Sequence, residues 1–300
     1  TSASKMKEYE KEMKYKFKTY GYEKLNILDK SEVKNEIGSS LYYGGVLDYG
    51  AGHLHPLKYA IGLMHAAQIL GVKMYENSSV EKINEDKNNV EVILTSGKVK
   101  AKNIAICCNA YLEELNMNFK DRVMPCETYI VCTEHLNSSL QEHVLPNDYC
   151  VSDTNFDLNY YRLSASKRMI FGGAVGYSLK NVESLKKRTK RQLDKIFPQL
   201  SNLKIDYIWG GLIALTMNRV PDIGMESEKI FYAQGFSGHG VALTGMAGKI
   251  LAESVVNGKT AELELFEKIK HRKFPGGRLF RMPLLVTISA MQRMADIFNV

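Results

Sequence analysis

Between residues 3 and 20, Met6, Tyr9, Met13 and Phe17 recur at spacings of three and four among lysines and glutamates, which predicts an amphipathic helix. Leu25 to Ile37 reads as a turn and a short helix, and Leu41 to Leu47 as a strand interrupted by Gly44-Gly45. Pro56 suits the first position of a helix, which Ala60, Leu63, Ala67 and Leu70 carry to Gly71, a C-cap residue. The period then changes to two. Val80–Asn84 and Val90–Leu94 alternate as strands, with Thr95-Ser96-Gly97-Lys98 as the turn. Lys102–Cys108 reads as a short apolar strand of the kind buried on both faces. Val123–Thr133 and Tyr160–Gly173 read as further strands, with Gly172-Gly173 a bend. Leu185, Leu193, Ile196 and Phe197 return to the helical period before Pro198. Ile205–Leu215 is β-prone, Lys229–Ala233 is a buried strand, and Val241, Leu243, Ala247, Ile250 and Val255 line a last helix. Strands and helices alternate in the first hundred residues and after residue 220. Antiparallel strands fill the interval, so the expected class is α/β of mixed α+β character.

Composition narrows this without changing it. The 300 residues are 45% hydrophobic and 24% charged, as in ordinary globular chains, which argues against disorder. No apolar run approaches the roughly 20 residues of a membrane span. The polar start Thr1-Ser2-Ala3-Ser4-Lys5-Met6-Lys7 shows no signal peptide, so a cytoplasmic location is expected. The net charge of +7 is spread out, and its densest run, Lys186–Arg191, lies on the solvated side of an amphipathic helix. Nucleic acid is therefore not an expected partner. The five cysteines include no Cys-x-x-Cys, and Cys107-Cys108 within an apolar run read as core residues, so neither a metal site nor a disulfide is expected.

The chemistry concentrates in Gln234-Gly235-Phe236-Ser237-Gly238-His239-Gly240-Val241, a glycine-rich turn between a buried strand and an apolar helix. Such a turn aims free backbone N–H groups at an anionic or electron-rich ligand. This segment resembles the C-terminal flavin-contacting segment of the D-amino-acid, glycine and sarcosine oxidase superfamily of FAD-dependent oxidoreductases. Gly44-Gly45, Gly71-Val72 leading to Val80, and Thr216-Met217-Asn218-Arg219-Val220-Pro221-Asp222-Ile223-Gly224 resemble other segments of the superfamily in the same order. His53-Leu54-His55-Pro56-Leu57, Tyr161-Arg162-Leu163-Ser164, Met217-Asn218-Arg219 and Phe274-Pro275-Gly276-Gly277 are most similar to its gamma-glutamylputrescine oxidase-like branch.

The resemblance implies a partial FAD-binding Rossmann-like domain with an inserted antiparallel-sheet substrate domain. The FAD-binding part would take residues 1–112, the substrate domain 113–219, and the return with C-terminal helices 220–300. It implies that Gly235, Gly238, His239, Gly240 and Val241 meet the flavin, Val80 the adenine, and Asn109-Ala110 the ribose and pyrophosphate. FAD would be non-covalent, since no cysteine follows Cys150. It implies hydride transfer from the carbon next to an amine to flavin N5, hydrolysis of the imine, and reoxidation by O2 to H2O2 or by another acceptor. His53, His55, Tyr161, Arg162, Trp209 and His239 are the candidate pocket residues. Trp209-Gly210-Gly211-Leu212 is followed by Ile213, and the flavin turn carries Gly238, where relatives acting on free amino acids place a carboxylate-binding arginine. An amine with an extended stem is therefore expected over a D-amino acid or N-methyl amino acid.

No Gly-x-Gly-x-x-Gly is present. The expectation is a C-terminal piece short of on the order of 100 residues, which exposes apolar surface and binds FAD poorly. A truncated frame, an engineered fragment, or a short subunit completed by a partner chain that supplies the dinucleotide-binding segment would account for it. A non-catalytic subunit is the alternative from another functional class.

Overall fold

The computed structural model describes residues 2–112, 115, 117–155, 158–176 and 182–275. Along the chain run α1 (Ala3–Tyr20), β1 (Leu25–Leu28), α2 (Lys30–Ile37), β2 (Gly45–Asp48), α3 (Pro56–Ile69), β3 (Val80–Glu85), β4 (Val90–Leu94), β5 (Gly97–Ala101) and β6 (Ile104–Ile106). They are followed by β7 (Met124–His135), α4 (Ser138–His143), β8 (Val151–Ser152), β9 (Tyr160–Leu163), β10 (Arg168–Gly176) and α5 (Val182–Ile196). The last elements are β11 (Ile205–Leu215), β12 (Asp222–Met225), β13 (Ile230–Gln234), α6 (Gly240–Asn257) and α7 (Ala261–Glu267). The mixed α/β class with antiparallel sheets is as expected. The described residues form two compact units, 2–54 with 127–211 and 55–126 with 212–275.

In the first unit the antiparallel sheet has the order β11-β7-β10-β9-β8. Val131, Tyr161, Leu163, Met169 and Phe171 project from one face onto Leu193, Ile196 and Phe197 of the α5 region. Thr189, Leu193 and Ile196 are the buried positions of α5, so Lys186–Arg191 does belong to its solvated side. Leu28, Val33, Ile37 and Tyr42 join the same core. Packing thus groups residues 2–54 with the antiparallel sheet, a division different from the expected 1–112, 113–219 and 220–300. Asp29 starts α2 with a capping box, its carboxylate accepting from the Ser31 and Glu32 N–H groups. The 160–173 stretch folds as a hairpin rather than continuing as one strand. It turns at Lys167, whose φ is +57° and whose N–H donates to the Ser164 carbonyl at 2.9 Å.

In the second unit β13 lies between β12, antiparallel to it, and β6, parallel to it. A separate antiparallel sheet has the order β3-β4-β5, so the 95–98 turn opens directly into a strand. Ile223, Phe231 and Ala233 pack on Ala247, Ile250 and Leu251 of α6 and on Leu263 of α7. Cys107 and Cys108 are exposed, which corrects the core assignment: β6 spans only three residues and ends before them. Cys126 and Cys132 are buried. Helix α3 is predominantly apolar yet buries none of its residues, with Ile69 86% and Leu70 84% exposed. Among the described residues no helix is long and apolar enough to cross a membrane. Residues 276–300 of the expected C-terminal helical region, which include Gly276-Gly277 of the Phe274 motif, lie outside the described residues.

Candidate functional site

The glycine turn is built by its neighbours. Gln234 ends β13 with its side chain buried, and its Nε2 donates to the Phe119 carbonyl and to Asp222 Oδ2, both at 2.9 Å. Gly235 then adopts φ +72°, and its N–H donates to Asn109 Oδ1 at 2.9 Å. A Cβ at this glycine would overlap Thr216 Cγ2 and approach Val123 Cγ1 to 3.1 Å. Ser237, at φ +51°, donates its N–H to the Ala214 carbonyl at 2.9 Å and its hydroxyl to the Gly235 carbonyl at 3.2 Å. Three positive φ values in four residues reverse the chain within this span, Gly238 supplying the third at +92°.

The reversal starts α6 at Gly240 with His239 as N-cap, and the His239 side chain makes no capping hydrogen bond. The first N–H groups of α6 therefore face outward at the positive end of the helix dipole. Apart from its two chain neighbours, no described residue has an atom within 4 Å of where a Cβ of Gly238 would stand, and Val241 is half exposed. Open space, an uncapped helix start and no carboxylate among the turn residues suit an electron-rich ring edge, so these residues fit a flavin. Asn109 also has a structural task. Its side-chain oxygen is spent on Gly235, and Ala110 is packed with Val123 and Ala214. Val80 is half-buried in β3 opposite Leu94.

In the first unit strand alternation separates two adjacent candidates. Tyr161 points into the core: it is 3% exposed, stacks on Phe171 at 5.8 Å, meets Phe197 edge-on at 5.1 Å and donates to the Tyr42 hydroxyl at 3.1 Å. Burial pushes both phenols well above the ordinary tyrosine range. Tyr161 is thus a packing residue, which corrects its assignment to a substrate pocket. Arg162 takes the opposite face of β9 and is half-buried. Its Nη1 donates to His53 Nδ1 at 2.6 Å, while His53 Nε2 bonds the Asp148 carbonyl at 2.8 Å. Tyr160 shares this face, and its ring lies so close over Gly172 that no side chain would fit there. Trp209, 47% exposed, stands three strands from β9 in the sheet order. His55 in the second unit caps α3, its Nδ1 accepting from the Lys58 N–H at 3.4 Å. The structure therefore brings together His53 and Arg162 alone among these candidates. Their separation of 109 residues gave no local signal.

A buried polar cluster braces the strands leading to the turn. Asp222 accepts from Gln234 and from the Tyr232 hydroxyl at 3.2 Å, and Arg122 donates to Tyr232 at 2.8 Å. The His271 side chain packs 4.0 Å from Asp222 and is itself 3% exposed. Burial lowers its pKa below the usual histidine value, Asp222 opposes that shift, and Arg122 adds to it. The folded state thus binds the proton less well than the unfolded chain. Stability is full above the unfolded value near 6.5 and declines as pH falls below it toward the folded value. Urea unfolding at pH 7.5 and 5.5 should show a loss at the lower pH that His271→Phe reduces.

A family model described as FAD dependent oxidoreductase matches residues 1–254. The chain is 37% identical over 286 residues to gamma-glutamylputrescine oxidoreductase of Escherichia coli, covering 95% of this chain and 67% of that protein. It is 38% identical over 268 residues to a probable oxidoreductase OrdL of Haemophilus influenzae, covering 88% of this chain and 61% of that one. The chain therefore spans about two thirds of the length of these curated relatives. Its fold is similar to that of L-proline dehydrogenase from P. horikoshii, with a TM-score of 0.76 at 21% identity over 88% of this chain and 73% of that one.

Proposed function

The chain belongs to the FAD dependent oxidoreductase family, and from that premise we propose that it contributes to oxidation of an extended-stem amine of the gamma-glutamylputrescine type. The observation that carries the flavin half of this reading is the uncapped start of α6 beside the open space at Gly238. FAD, when bound, supplies the hydride acceptor for the carbon next to the amine, and water then hydrolyses the imine. The N–H groups at Gly240 and Val241 would hold the pyrimidine edge of the ring, where the helix dipole favours negative charge. Asn109, Thr216 and Ser237 would keep that turn in shape, which is what their hydrogen bonds to it do.

In the first unit, the face of the antiparallel sheet opposite its core carries Tyr160, Arg162 and Trp209, which would receive the amine's stem and far end. Ile213 and Gly238 offer no guanidinium fork, which disfavours glycine and D-alanine. In the presence of FAD, peroxide release from gamma-glutamylputrescine should exceed that from glycine or D-alanine by at least tenfold. Equal rates, or preference for the amino acids, would refute the substrate class. No turnover of any of the three would refute the activity.

A further inference from the structure

We infer that Arg162 is the specificity residue for a carboxylate at the far end of the amine substrate, with His53 holding its guanidinium in place. This inference rests on the amine-oxidising function proposed above and names the group that Arg162 would read. The hydrogen bonds fix the direction of the pair. The Asp148 carbonyl can only accept, so His53 Nε2 carries the proton and donates to it. Nδ1 is then left with a lone pair, and it accepts from Arg162 Nη1. Asp148, at φ +55°, sets the ring of His53 from the backbone, and the ring in turn sets the plane of the guanidinium.

One of the five guanidinium N–H donors is used in this way. The other four make no hydrogen bond or ion pair with a described residue. A cross-strand ion pair does not account for them either, because the residue opposite Arg162 on β10 is Ile170. A half-buried arginine, held from one side by a neutral acceptor and without an acidic partner among the described residues, has a planar fork that matches a carboxylate in two parallel hydrogen bonds. Tyr160 and Ile170 beside it offer aromatic and apolar surface to an alkyl stem. The ligand class is thus an amine joined through such a stem to a carboxylate. In the sheet order this fork stands three strands from Trp209.

The test separates the seat from the reaction. Ligand-observed NMR on the 300-residue chain would titrate glutarate, with glutaramide as its uncharged counterpart. Wild type should bind glutarate at least tenfold more tightly than glutaramide. Arg162→Gln should abolish that preference, Arg162→Lys should retain a small part of it, and His53→Leu should fall between wild type and Arg162→Gln. Unfolding midpoints of the variants should stay near that of wild type, since neither side chain is in the core. Equal binding of the two probes by wild type, or unchanged glutarate binding in Arg162→Gln, overturns the assignment. Arg162-dependent glutarate binding in a protein that oxidises no amine would instead overturn the functional proposal and leave the seat standing. Turnover of gamma-glutamylputrescine with the same KM in Arg162→Gln would overturn the seat and leave the function.

Discussion

Replacing Tyr161 with alanine is expected to cost about 4 kcal/mol of stability, among the largest effects available from one side chain in this protein. The ring is wedged between Phe171 and Phe197, and no part of the unit can collapse into its place without pulling the sheet from α5. Tyr161→Phe keeps the ring and loses only the hydrogen bond to Tyr42, so it should cost about 1 kcal/mol. Urea unfolding of the two variants tests this directly. A phenol that took part in chemistry would give the reverse pattern, with Tyr161→Phe stable and inactive. Burial holds both phenols protonated far above neutral pH, so neither can serve as a base there. The expected outcome is a Phe variant that keeps its turnover and an Ala variant that fails to fold well.

Tyr161 also shows where the sequence stops being informative. Alternation along a strand says that Tyr161 and Arg162 face opposite ways. It does not say which of them faces inward, because that depends on what covers each face. The cover here is α5, together with Val33 and Ile37 of α2, which lie far from β9 in the chain. The same long-range packing draws residues 2–54 into the unit of the antiparallel sheet, although the order of motifs suggests otherwise. The His53–Arg162 pair was invisible as a pair for this reason, while each member was visible within its own segment. By contrast the glycine turn was legible almost completely, since strand, positive-φ residues and helix are consecutive. What could not be read there was its bracing. Asn109 stands 126 residues from Gly235, and nothing local marks it as the acceptor of that N–H. Short elements such as β12 and α7 are held mainly by their neighbours, so four to seven residues of pattern were too few to reveal them.

The turn itself supports a paired prediction, because its two positive-φ glycines are needed for different reasons. Gly235→Ala should destabilise the protein by about 3 kcal/mol. A left-handed φ of +72° costs an L-residue about 1 kcal/mol. The new methyl adds about 2 kcal/mol of overpacking by overlapping Thr216 Cγ2 against a wall that includes Val123. Any relaxation moves the Gly235 N–H off Asn109 and the start of α6 with it. Gly238→Ala shares the backbone strain, at φ +92°, but its methyl enters open space. Its stability cost should stay near 1 kcal/mol. If a flavin edge occupies that space, the methyl would clash with the ligand, and FAD affinity should fall at least tenfold. Urea unfolding and an FAD titration followed by flavin fluorescence distinguish the two variants. Gly235→Ala should weaken FAD only as far as it unfolds the turn, whereas Gly238→Ala should weaken it in a protein that remains folded. Unchanged FAD binding in Gly238→Ala would mean that the space beside α6 is not where the flavin sits.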